Sequence, residues 1–186
     1  MTRGFEGIDL LCLIIDMEGF FVQKGFQARE LGYYTWMGDK GSYFFDVVTP
    51  YRKLTYKDKQ VVHHVTNAII GLPYRPADCE RPVQHQCDLP GMVRRLYDEF
   101  RTEFHTHMGF KGGHMEKDLL LSLNIPYFDL EQWGCPKFDK LPRPLGVGCG
   151  CHAHAETHHC PQLECEAFWT WTRALFSWRP DRKSVV

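Results

Sequence analysis

Leu10-Leu11-Cys12-Leu13-Ile14-Ile15-Asp16-Met17-Glu18-Gly19 is an apolar run without charge that ends in two carboxylates two residues apart. In a strand, side chains two apart point to the same face. The pattern therefore places Asp16 and Glu18 side by side at the end of a buried strand. Adjacent carboxylates repel each other, and a divalent cation that prefers oxygen ligands, magnesium or manganese, relieves that repulsion. A strand running out into solvent carries acidic residues just as readily. The pair alone does not decide between the two, and the rest of the chain has to.

The chain has 186 residues, enough for one domain with a substantial core. Its hydrophobic share of 44% and charged share of 24% are those of a soluble globular protein. A formal net charge of −1 does not advertise a nucleic-acid binder. Two local basic groups, Arg52, Lys53, Lys57 and Lys59, then Arg94, Arg95 and Arg101, read as ordinary solvated faces. No apolar run is long enough to cross a bilayer, so no membrane association is expected. The first residues do not read as a signal peptide, and the expected location is intracellular, cytoplasmic or nuclear, not secreted.

Working outward, residues 8–17, 29–36 and 42–49 read as an antiparallel meander, with a turn around Gly38 and Gly41. Residues 57–70 carry a helical pattern closed by Gly71 and Pro73. Residues 72–90, rich in Pro, Cys and Arg, read as a surface loop. A helix at 90–102 starts on Pro90. A strand at 104–110, a helix at 114–123 and a short strand at 127–130 follow. Residues 134–158 should be irregular, 161–177 form a terminal helix with an aromatic core stripe, and 179–186 a frayed tail. The expectation is one α/β domain over residues 1–178: a mixed sheet, antiparallel in strands 1–3 and then short and parallel, flanked by helices.

Eight cysteines are present, and four of them lie between Cys149 and Cys165 among histidines. Without a secretion signal, that arrangement favours metal ligation over disulfides. Gly148-Cys149-Gly150-Cys151-His152-Ala153-His154 offers Cys-x2-His twice, as Cys149/His152 and as Cys151/His154, with Cys160 a few residues on. Thiolate and imidazole ligands around one ion mark structural zinc, and three ligands here need a fourth from elsewhere. We favour Cys149 and His152, because the longer segment to Cys160 leaves more chain to wrap the ion.

The acidic residues and His159 complete a pattern. Asp16-x-Glu18 lies on the first strand, Glu116 follows a glycine turn in Lys111-Gly112-Gly113-His114-Met115-Glu116-Lys117-Asp118-Leu119-Leu120, and His159-x4-Glu164 opens the last helix. In order and spacing this resembles the DEDDh 3′–5′ exonucleases of the ribonuclease H-like fold, from about residue 8 to 178. Two family aspartates are glutamates here, at 116 and 164. Asp118 is an alternative to Glu116, but Glu116 fits the register of the family's Asp-x-x-Leu-Leu better. The zinc motif resembles the Glu-Cys-His-Cys site of the arenavirus nucleoprotein exonuclease domain and of the Maelstrom domain.

The resemblance implies a catalytic set of Asp16, Glu18, Glu116, His159 and Glu164, with His159 as general base and two magnesium or manganese ions. It also implies Glu30, on the second strand, as the fourth ligand of a structural zinc beside Cys149, His152 and Cys160. The implied partner is RNA or DNA with a single-stranded 3′ end; the oligomeric state is left open. The competing expectation is a Maelstrom-like binding module for nucleic acid or protein that keeps the fold and the zinc without the chemistry.

Overall fold

Strand β1 (Leu11–Val22) is the interior strand around which the computed structural model is organised. The structure describes residues 7–23, 25–146, 148–153 and 158–177; the tail at 179–186 lies outside them. β1 pairs antiparallel with β2 (Gly25–Thr35), and β2 with β3 (Lys40–Phe45). On its other side β1 pairs parallel with β5 (His107–Phe110), which pairs parallel with β6 (Tyr127–Asp129). A two-residue strand β4 (Val83–Gln84) adds parallel to β3, giving the order β4-β3-β2-β1-β5-β6. The expected mixed α/β sheet is present, with β4 beyond it.

Helices cover both faces. Leu13, Ile15 and Met17 of β1 pack with α2 (Leu89–Phe100) through Val93, Leu96 and Phe100, and with α3 (His114–Ser122) through Leu120. Ile14, on the opposite face, packs under α4 (Pro161–Ser177) with Cys165, Phe168 and Trp169. This alternation puts Asp16 and Glu18 on the α4 side. The first helix, α1 (Tyr56–His64), opens on a capping box between Thr55 and Asp58. It continues as a π-helical turn, Val65–Ile70, to Gly71.

Three expectations need correction. β1 does not end at its carboxylates: after a bulge between Glu18 and Gly19 it runs on through buried Phe20 and Val22 against the start of β2. The strand expected from 104 begins at His107, because Thr102 turns the chain by accepting the backbone N–H groups of Phe104 and His105, leaving Phe104 exposed. The segment at 72–90 is not merely a surface loop. It sends Leu72, Tyr74 and Glu80 into the interior.

Glu80 meets Arg29 of β2 at 2.5 Å, both side chains fully buried. Arg29 also donates from Nε to the Pro73 carbonyl (3.0 Å) and from a terminal nitrogen to the Phe45 carbonyl (3.1 Å). The guanidinium thus joins β2, the end of β3 and the 72–90 segment. Removing one partner strands a buried charge, at a cost of about 3–5 kcal/mol. Glu80→Ala should lower unfolding free energy by that amount in a denaturant titration, while Arg81→Ala, whose aspartate partner is exposed, should change it by less than about 1 kcal/mol.

Candidate metal centres and active site

The site begins with the register of β1 on β2. Glu18 stands opposite Glu30, and Asp16 opposite Gly32. Like charges directly opposite destabilise a strand pair, so each glutamate needs its own compensating partner. Gly32 supplies the second element of the geometry. A Cβ there would collide with the backbone of Pro161 and Gln162. Only glycine lets the first turn of α4 rest on β2, and that approach sets Cys160 near Glu30 and Glu164 near Asp16.

On the Glu30 side, the carboxylate, Cys149, His152 and Cys160 present ligand atoms all within 4.8 Å of one another. Glu30 and His152 are buried on strand and loop, and Cys160 precedes α4. Glu30 Oε2 and His152 Nε2 lie 2.8 Å apart, yet neither atom has a hydrogen-bond partner of proper geometry. Two buried polar atoms aimed at a common point, flanked by two sulfurs 3.8 Å apart, suit a cation between them. The other atoms of these ligands are held in place. Ser42 Oγ donates to Glu30 Oε1 at 2.7 Å, and His152 Nδ1 contacts the Ile70 carbonyl of the π-turn, leaving Nε2 for the ion. Gly148 has φ 64°, and a Cβ there would collide with Cys160 Sγ at 2.6 Å.

Burial and the close contacts among these groups set how each holds its proton when no ion is bound. Contacts with Cys149 and then with His152 lower the Cys160 thiol to about 4, against the opposing effect of burial. Cys149 is pushed far up by its contact with Cys160 and by burial. Burial would lower His152, but its contacts with Cys160 and Glu30 override this and raise it to about 10. Burial raises Glu30. Of the two Cys-x2-His pairs, the structure brings Cys149 and His152 into the cluster. Cys151 turns away and donates to the Cys79 carbonyl at 3.0 Å; His154 lies outside the described residues.

Beside it, on the same α4-covered face of the sheet, lies the second group. Glu18, His159 and Glu164 also present ligand atoms within 4.8 Å of one another. Asp16, Glu18, His159 and Glu164 line a cleft of about 480 Å³ with Lys111, Lys137, Phe138 and Phe168. An adjoining cleft of about 280 Å³ holds Asp16, Glu18 and Glu116. Glu116 is buried and accepts the Met17 N–H on Oε1 at 2.9 Å, whereas Asp118 is exposed. All five expected catalytic residues therefore border an acidic hollow made of two neighbouring clefts that share Asp16, Glu18 and Lys111. Asp16 Oδ2 and Glu164 Oε2 are buried there without hydrogen-bond partners. His159 Nδ1 lies 3.0 Å from Glu164 Oε1, and the His159 N–H donates to the Ile69 carbonyl at 2.8 Å.

The carboxylates repel as expected. Burial, then Glu164, Glu18 and Glu116, push Asp16 well above the usual carboxylate range. Burial and Glu164 raise Glu18 from 4.5 to about 8. Burial also raises Glu116, and the bond to Glu164 raises His159. A carboxylate whose folded value is raised binds its proton more tightly in the native state. Its stabilising contribution is complete below the unfolded value and is lost as pH climbs through the folded one. Zinc-loaded protein without other divalent ions should therefore lose thermal stability as pH rises toward about 8, the Glu18 value. Manganese should restore it, increasingly so toward that value, in melting curves recorded with and without the ion.

Lys111 is a site-lining residue that sequence reasoning passes over; its position just after a strand and just before Gly112-Gly113 is the one signal that could have found it. At the end of the 57–70 segment Ile70 and Leu72 are fully buried, while His63 and His64 are exposed. Among the described residues, no helix is long and apolar enough to cross a membrane. No protein-family model matches the chain, and no curated protein matches it.

Proposed function

We propose that the chain is a metal-dependent 3′–5′ exonuclease of the DEDDh type, built on a ribonuclease H-like sheet and stabilised by a structural zinc. The observation that carries this reading is the convergence of Asp16, Glu18, Glu116 and Glu164 with His159 on one hollow, two of their buried oxygens unpartnered. The antiparallel meander continued by parallel strands supports the fold. Glu30, Cys149, His152 and Cys160 would hold zinc.

The four acidic residues would hold two magnesium or manganese ions, which when bound supply an activated water and charge stabilisation at the leaving oxygen. The protein's own groups do the rest. Asp16 and Glu18 are held by their pairing with Gly32 and Glu30 of β2, on a strand that β5 also pairs up to Ile14. Glu116 is fixed by the Met17 amide. His159 stands at the mouth, half-exposed, with Nδ1 engaged by Glu164 and Nε2 left to accept a proton from water. Attack forms a bond from water oxygen to phosphorus and breaks the bond from phosphorus to the 3′ oxygen, which takes up a proton. His159→Ala should reduce cleavage on the order of a hundredfold or more.

The test is a 5′-labelled single-stranded oligonucleotide, as RNA and as DNA, incubated with magnesium or manganese. Stepwise shortening from a free 3′ hydroxyl, stopped by a chelator, is expected. One observation favours a Maelstrom-like binding module instead: Glu116 and Glu164 stand where the resembled nucleases carry the shorter aspartate. Oligonucleotide binding without shortening under either ion would select that reading.

A further inference from the structure

Two lysines that the nuclease pattern does not require line the acidic hollow, Lys111 and Lys137, and only Lys111 borders both of its clefts. Lys111 follows Phe110, the last residue of β5, and lines both the cleft of Asp16, Glu18, His159 and Glu164 and the cleft of Asp16, Glu18 and Glu116. Its side chain is only 12% exposed, and its ion-pair partner is Glu131 at 3.7 Å, a carboxylate that is itself 62% exposed. The backbone around it is fixed. Phe110 is paired with Asp129 in β6, and the Gly112 N–H donates to Asp129 Oδ1 at 2.8 Å. Lys137 also lines the larger cleft, but it is exposed and does not reach the smaller one.

A nearly buried ammonium held by one loose, solvent-facing partner is costly unless a further anion uses it. Charge counting identifies that anion. Two divalent ions would neutralise the four carboxylates Asp16, Glu18, Glu116 and Glu164, and Asp139 and Lys137 of the larger cleft offset each other, which leaves the phosphodiester's own charge, spread over its non-bridging oxygens during displacement, for Lys111. We propose that Lys111 is a catalytic residue that holds a non-bridging oxygen of the scissile phosphate. This assignment rests on the nuclease reading. It makes the substrate contact a point charge fixed to the sheet rather than a mobile surface lysine.

The experiment compares wild type with Lys111→Met, Lys111→Arg and Glu131→Gln on the labelled oligonucleotide, with zinc content and circular dichroism as checks of folding. Lys111→Met should lower kcat/KM on the order of a hundredfold. Lys111→Arg should recover to within about tenfold of wild type, since the charge survives in a bulkier head group. Glu131→Gln should stay within about twofold. Binding separates phosphate contact from mere structural support. In an Asp16→Ala background, which cannot cleave, adding Lys111→Met should flatten the plot of log Kd against log salt by about 0.7. Should Lys111→Met fail to fold, Lys111→Arg and Lys111→Gln carry the same comparison. An active wild type with equally active Lys111→Met overturns the lysine assignment alone, as does lost activity with an unchanged salt slope. An inactive wild type overturns both the assignment and the nuclease reading.

Discussion

On the proposed exonuclease reading, Asp16→Ala should cut cleavage by about a hundredfold to a thousandfold and leave the zinc of the proposed structural site in place. Asp16 lies at the centre of the hollow, touched by the charges of Glu164, Glu18 and Glu116. Removing it would take away a ligand of the proposed catalytic ions, and losing one well-placed electrostatic group in a water-poor site costs on the order of 10² to 10³ in rate. It also relieves repulsion, so the variant should melt higher than wild type when magnesium and manganese are absent. Its partner across the strand pair is Gly32, not a zinc ligand, which is why the metal content should not change. Rate, melting temperature and zinc content, measured on one preparation, check all three statements. A variant that loses zinc along with activity would mean that the two centres are not separable.

Cys160→Ser should give a chain that neither retains zinc nor folds stably. Zinc bound by such ligands contributes on the order of 10 kcal/mol to folding, as much as the whole stability of a typical domain. The effect should reach the active site as well. Cys160 is next to His159, and the π-turn that supports His152 through Ile70 supports the His159 backbone through Ile69. Elemental analysis and thermal melts of wild type with and without a strong chelator make the same comparison without a mutation. Well-folded protein with no zinc would remove the structural-zinc reading.

The parts of the molecule written in local patterns can be read from the sequence. The apolar run into Asp16 and Glu18 is β1, the 161–177 pattern is α4, and the Cys-x2-His spacing points to the Cys149 and His152 cluster. What cannot be read depends on contacts distant in sequence. That Arg29 and Glu80 form a buried pair follows from how the 72–90 segment folds over β2 and β3, not from its Pro-rich and Cys-rich composition. That β1 continues past Gly19 depends on a bulge in its pairing with β2. The register that sets Glu18 against Glu30, and Gly32 under α4, couples the two centres and has no local signature. In the sequence Lys111 is one more lysine, because its burial comes from the walls of two clefts assembled from other elements.

Two chemically distinct metal centres on one strand pair are tested most directly by a crystal of zinc-loaded protein soaked in manganese, with anomalous scattering recorded at the zinc and manganese edges. A zinc peak is predicted inside Glu30, Cys149, His152 and Cys160, and manganese peaks beside it among Asp16, Glu18, Glu116 and Glu164. Manganese in the cysteine site, or no peak in the acidic hollow at any manganese concentration, would contradict that prediction.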